Sequence, residues 1–151
     1  MRRAFGIAAL FCLFLLGLLA FPGNSSGQTA ADSTAITQAA LDYIQGYYAG
    51  DEARMERALH PDLAKRIVNT NPNNGRSSLG QMSAMTLVQI TRMKPADPED
   101  QWVDDMTILD IFENAASVRV DAATWIDYLH LARWNGEWKI VNVLWEMRPQ
   151  G

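Results

Sequence analysis

The sequence predicts an α+β domain: three helices, followed by a four-stranded antiparallel meander whose inner face the helices cover. Three observations lead to it. Ile36, Ala40, Tyr43, Ile44, Tyr47 and Tyr48 recur at helical spacing within TAITQAALDYIQGYYA, residues 34–49. Two apolar, aromatic-rich runs, DYLHLARW and EWKIVNVLWEM, meet at Asn135-Gly136, the strongest short-range hairpin signal. Further turns at Glu113-Asn114 and Ala123-Thr124 extend that hairpin backwards into mutually consistent apolar rows.

The front of the chain stands outside this pattern. Arg2 and Arg3 precede an apolar run from Ala4 to Phe21, and a Pro-Gly-Asn-Ser stretch follows. Residues 1–27 therefore read as a signal peptide or, if left uncut, an N-terminal membrane anchor. Cys12 lies inside the run behind Phe11, which does not suit a lipid-bearing cysteine. Residues 28–33 read as a linker and 34–149 as a single domain. An exported protein, periplasmic or secreted, is expected.

Without the leader about 120 residues remain, enough for one core. This part holds no cysteine, which excludes disulfides and thiolate metal sites. Its charge is 11 basic minus 17 acidic residues, −6, against 13 minus 17, −4, for the whole chain. No basic patch offers a nucleic-acid surface.

The first helix can be capped by Asp32, Ser33 or Thr34 and closed by Gly50. Asp51 caps a second, short helix carrying Met55, Ala58 and Leu59, which His60-Pro61 ends. A short extended piece runs from Ala64 to Val68, and NTNPNNGRSS reads as a surface loop. Ser83 caps a third helix with Met85, Leu87, Val88 and Ile90 as apolar positions; KPADPED is a loop, and strands follow from Trp102.

Turn arithmetic sets Leu131 opposite Ile140, Leu129 opposite Asn142, and Asp127 opposite Leu144. One face then carries Ile111, Ala116, Leu131, Ile140; Leu109, Val118, Leu129, Asn142; and Thr107, Val120, Asp127, Leu144. The other face carries Met106, Ile108, Arg119, Asp121, Ile126, Tyr128, His130, Val141, Val143 and Trp145. So apolar a second face suggests a homodimer interface.

DYIQGYYAGDEARMERALHPDLAKR and IDYLHLARWNGEWKIVN resemble the putative lumazine-binding family of the nuclear-transport-factor-2-like superfamily, over about Ile36 to Trp145. The most specific parts are His60-Pro61-Asp62-Leu63 and the hairpin from Asp127-Tyr128-Leu129 to Trp138-Lys139-Ile140-Val141-Asn142. The resemblance implies a cone in which a strongly curved sheet wraps around a long helix and leaves a cavity at its wide end. It also implies a superfamily of isomerases, dehydratases, polyketide cyclases and proteins that only bind or associate, between which the fold does not choose.

Asp127 is the leading candidate site residue. A carboxyl among Leu129, Val120 and Leu144 is costly to ionise without a donor, so it is either a proton-transfer group or a structural acid with protein partners. Asn142 could orient a ligand carbonyl or bond Asp127. Tyr43 and Tyr47, four apart, share a helix face and could line the cavity or simply pack. Trp102 could stand at the cavity mouth. His60, the catalytic partner considered for Asp127, reads first as a helix-end cation before proline, and His130 falls on the outer face. No HxH or HExxH spacing, Gly-rich phosphate loop, G-x-S-x-G elbow or cysteine nucleophile occurs, so no metal and no cofactor are expected. The leading expectation is a small-molecule-binding protein for a flat aromatic or apolar ligand contacting Tyr43, Tyr47, Trp102, Asp127 and Asn142. An isomerase or dehydratase using Asp127 with His60 or a tyrosine is the second, and a non-catalytic dimeric association module the third.

Overall fold

The computed structural model describes residues 29–149. The expected leader or anchor, 1–27, lies outside the described residues. Helix α1 spans Ala30–Ala49, so it begins inside the stretch expected as linker. Its cap is Thr29 rather than Asp32, Ser33 or Thr34. The Thr29 hydroxyl accepts from the Asp32 N–H while the Asp32 carboxylate reaches back to Thr29, a reciprocal box that satisfies otherwise orphaned donors. Gly50 closes the helix in the left-handed region, at φ 67°. Asp51 caps α2, Glu52–Ala58.

The chain passes directly from α2 into β1, Leu59–Thr70, so His60-Pro61 begins a long strand. An unexpected strand, β2, Ser77–Ser83, returns antiparallel on β1. Its SSLGQMS sequence is polar and largely exposed, as an edge strand can be, and so carries little alternation to read. Ser83 caps α3, Ala84–Met93, as expected. After one short 3₁₀ turn come β3, Asp105–Phe112; β4, Ala115–Asp121; β5, Trp125–Trp134; and β6, Glu137–Met147.

The meander is therefore one part of a six-stranded mixed sheet ordered β2-β1-β6-β5-β4-β3, in which β1 lies parallel to β6. α1 packs on β3, β4 and β6, and α3 on β1 and β2. Ile36, Ile44, Met55, Leu129, Ile140 and Val143 are fully enclosed between helices and sheet.

All three expected turns occur. Trp134 pairs with Glu137 across Asn135-Gly136, whose residues both have positive φ, 51° and 86°. The β4–β5 rows also occur as expected, Ala116 on Leu131, Val118 on Leu129 and Val120 on Asp127.

Two one-residue bulges break the other expected rows. In β6 Ile140 pairs with Leu131 but Asn142 with His130, leaving Val141 as the extra residue. Leu129 therefore faces Val143 rather than Asn142, and Asp127 faces Trp145 rather than Leu144. In β3 Ile111 pairs with Ala116 but Ile108 with Val118, so Leu109 is the extra residue. Because strand side chains alternate, each bulge exchanges faces for everything beyond it. Met106, Ile108, Val143 and Trp145, expected outside, turn inward; Leu109, Asn142 and Leu144, expected inside, turn outward. The exchange removes an amide from the core and replaces it with Val143, avoiding the desolvation cost of an unpaired polar group. The outer face keeps a smaller apolar set, with Leu109, Tyr128 and Leu144 exposed.

Candidate functional site

β5 delivers Asp127 to the inner face, where it is fully buried. Its carboxylate has three protein donors. Lys65 Nζ lies 2.6 Å from Oδ1, Trp125 Nε1 donates to Oδ2 at 2.7 Å, and the Tyr43 hydroxyl donates to Oδ2 at 3.0 Å. Lys65 Nζ also donates to Tyr43 Oη at 2.5 Å. The four residues come from α1, β1 and β5, so the network ties the long helix to two strands.

The charges inside this network balance, because one carboxylate meets one ammonium. Burial pushes the Lys65 ammonium below its ordinary value, and the Asp127 charge opposes that push. Burial, and then the Asp127 charge, raise the Tyr43 phenol well above its ordinary value, so it stays a protonated donor.

Beside the network opens a cavity of about 270 Å³, near the small end for ligand pockets. Tyr47, Trp125 and Trp145 form its aromatic walls, Met82, Leu87 and Ile90 its apolar side, and Lys65 contributes its cation. Tyr47 meets Trp125 edge-to-face at 5.6 Å, and Lys65 Nζ lies 4.8 Å from the centroid of a Trp145 ring. The Trp145 indole N–H is buried with no hydrogen-bond partner among the described residues. A second hollow, of about 300 Å³, lies against Leu59, Met85 and Val88, with no buried polar group in its lining.

Tyr43, Tyr47 and Asp127 are thus brought to one region. Tyr47 lines the cavity, whereas Tyr43 and Asp127 lie behind Lys65 and Trp125. Trp102 stacks on Tyr48 at 5.8 Å, and its N–H donates to the Asp97 carbonyl, away from the cavity lining.

Asn142 is a correction. The β6 bulge carries it to the outer face, where its Oδ1 accepts from Arg66 at 2.9 Å and its amide nitrogen meets His130 Nδ1 at 3.3 Å. His60 does not meet Asp127 either. It packs edge-to-face on Trp134 at 4.9 Å, and its Nδ1 accepts from the Asp62 N–H. Trp134 is seven residues beyond Asp127 on β5, roughly 23 Å at strand rise. Among the described residues no group of three His, Cys, Asp or Glu side chains assembles to hold a metal.

Sequence reasoning missed Lys65, Trp125 and Trp145. The signal for Lys65 was present: Leu63, Lys65 and Ile67 alternate along one side of a strand, and an inward acid needs a cation. Trp125 shares a strand face with Asp127, two residues on. Trp145 was hidden by the bulge.

Comparison with known proteins agrees with this architecture. The profile of the putative lumazine-binding family matches residues 31–146. A nuclear-transport-factor-2-like protein of unknown function from Shewanella baltica superposes with a TM-score of 0.62 at 19% identity, covering 82% of this chain and 99% of its own. A similar protein of unknown function from Silicibacter pomeroyi gives 0.61 at 20% identity, over 80% and 100%. A ketosteroid isomerase-like protein from Erwinia carotovora gives 0.52 at 13% identity, over 81% and 100%. At these identities the structural likeness concerns the fold. A comparison of the sequence with curated proteins returns no match.

Proposed function

As this chain belongs to the putative lumazine-binding family, with residues 31–146 matched, we propose that it is an exported small-molecule-binding protein whose ligand occupies the cavity walled by Tyr47, Trp125 and Trp145. The observation that carries the reading is one wall chemistry: three aromatic rings beside the buried cation of Lys65. Flat apolar rings gain by stacking and burial there. A carbonyl or oxyanion on the ligand supplies an acceptor for the remaining Lys65 N–H. Lumazine, the compound in the family description, is a flat ring bearing carbonyls and is the first ligand to try.

The binding reading outranks an isomerase or dehydratase with Asp127 as free base. Both oxygens of the Asp127 carboxylate are engaged by Lys65, Tyr43 and Trp125, so a bound molecule meets Lys65 before it meets the carboxylate, and no histidine converges on it. Calorimetric titration with lumazine and with flat aromatic ketones tests the proposal. Saturable one-to-one binding, lost in Tyr47→Leu and kept in Leu144→Ala, is expected. Absence of heat with every probe, together with an empty protein in native mass spectrometry after purification from its own host, overturns it.

A homodimer through the outer sheet face belongs to the same proposal, supported by exposed Leu109, Tyr128 and Leu144 beside Arg66, Arg119 and Asp121. Sedimentation that gives a monomer for both the native chain and Leu144→Arg removes it.

A further inference from the structure

Lys65 carries a chemistry that binding alone does not use. The chain has three lysines, Lys65, Lys94 and Lys139. Lys65 is buried and lines the aromatic cavity, whereas Lys94 and Lys139 are partly exposed and bonded to Asp97 and Glu137. Within one hydrogen bond of its Nζ stand a proton acceptor, Asp127 Oδ1 at 2.6 Å, and a hydroxyl, Tyr43 Oη at 2.5 Å. An ammonium has no lone pair to give. Walled by apolar groups, however, this one can pass its proton to Oδ1, exchanging two buried charges for a neutral pair. Burial biases Lys65 the same way.

We propose that Lys65 is a carbonyl-capturing amine, which condenses with an aldehyde or ketone carried by a flat aromatic molecule in the cavity to give an imine. The proposal rests on the binding reading above, since the carbonyl compound enters the same cavity. The Nζ proton first passes to Asp127 Oδ1. The freed lone pair attacks the carbonyl carbon, a C–N bond forms, and the C=O π pair moves to oxygen. That oxygen takes a proton from the nitrogen by way of the Tyr43 hydroxyl, giving a carbinolamine. Asp127 returns its proton to the carbinolamine hydroxyl, the C–O bond breaks with loss of water, and the nitrogen lone pair closes the C=N bond. One amine and one carbonyl give one imine and one water, and no oxidant or reductant is consumed. The product is a protonated imine facing the Asp127 carboxylate, the same charge pair that the ammonium made. Trp125 and Tyr43 remain placed to hold that carboxylate.

The test is reductive trapping. The full chain is incubated near neutral pH with naphthaldehyde and cyanoborohydride, and the adduct is mapped by peptide mass spectrometry. Labelling of Lys65 is expected to exceed that of Lys94 and Lys139 by about tenfold or more, because the cavity holds the aldehyde beside that amine. Lys65→Arg, which keeps a cation beside Asp127 but forms no imine, abolishes the cavity label. Asp127→Asn slows labelling and moves its pH profile. Naphthalenemethanol, which lacks the carbonyl, protects Lys65 while leaving Lys94 and Lys139 open, a readout that does not depend on any variant folding. A label spread evenly over the three lysines, with the alcohol still binding saturably by calorimetry, overturns the imine and leaves the binding reading standing. If the alcohol does not bind either, both fall.

Discussion

Lys65 Nζ and Asp127 Oδ1 meet at 2.6 Å across 62 residues of sequence, inside the protein. Each charge answers the other's desolvation, so removing one alone is worse than removing both. Lys65→Met is expected to cost about 3–5 kcal/mol, because it strands a buried carboxylate. Asp127→Asn is expected to cost about 2 kcal/mol or more, since an amide cannot accept from Lys65, Tyr43 and Trp125 together. The double variant Lys65→Met with Asp127→Asn should recover much of the loss, because no charge is then left buried without its partner. Urea unfolding of the four proteins measures this, and additive losses would mean that the pair is not coupled.

Tyr43 gives the network an alkaline limit. Its folded phenol lies well above 10.0 through burial and the Asp127 charge, while an unfolded phenol ionises near 10. The folded state thus keeps a proton that the unfolded state releases. The resulting stability is fully present below about pH 10 and is lost as pH rises beyond it. Absorbance titration should show the Tyr43 phenolate only together with unfolding. Tyr43→Phe should remove that phase and cost about 1–3 kcal/mol at neutral pH, because Asp127 and Lys65 each lose a partner.

What could be read from sequence followed the range of the signal. Asn135-Gly136 demands positive φ at both positions, a local property of two residues, and the turn is there. Ser83 and Asp51 announce caps by chemistry that is complete within three residues. Asp127 is legible as inward because the turns on either side of β4 fix its row with Val120. Leu109 and Val141 show where this fails. A bulge costs one unpaired residue and is decided by which side chains the two faces can accept, a tertiary choice without a local mark. Strict alternation therefore exchanges the faces of Asn142 and Trp145, and with them one wall of the cavity. Lys65 is harder to read because the extended piece from Ala64 to Val68 is short and borders a loop, so its strand pairing leaves little local mark.

At the acid end the relevant group is Asp42, on α1, held by Arg54 and Arg57. Burial works to raise its carboxyl, but hydrogen bonds from Arg57 and Arg54, both at 3.1 Å, prevail and hold it below the ordinary carboxylate value. With a depressed folded pKa, the stabilisation is present above the unfolded value near 3.9 and is lost as pH falls through the folded one. Asp42→Asn should therefore be less stable than the native chain at neutral pH, and the gap should close on acidification. Thermal melts across pH 2 to 7 would show the two curves converging at the low end; parallel curves would exclude Asp42 from the acid transition.

The β6 bulge supplies the sharpest contrast between two neighbouring positions. Asn142 touches only outer-face partners, Arg66 and His130, so Asn142→Ala should cost about 1 kcal/mol or less and leave cavity binding unchanged. Deleting Val141 instead removes the extra residue and restores strict alternation along β6. Asn142 would then turn inward against Leu129, while Val143 and Trp145 would swing outward, taking a core residue and an aromatic wall from the inner face. Several kcal/mol of stability should go, and ligand heat in calorimetry should vanish with the wall. Equal behaviour of the two variants would mean that the bulge does not set the faces of β6, and the cavity would lose the reason for its aromatic side.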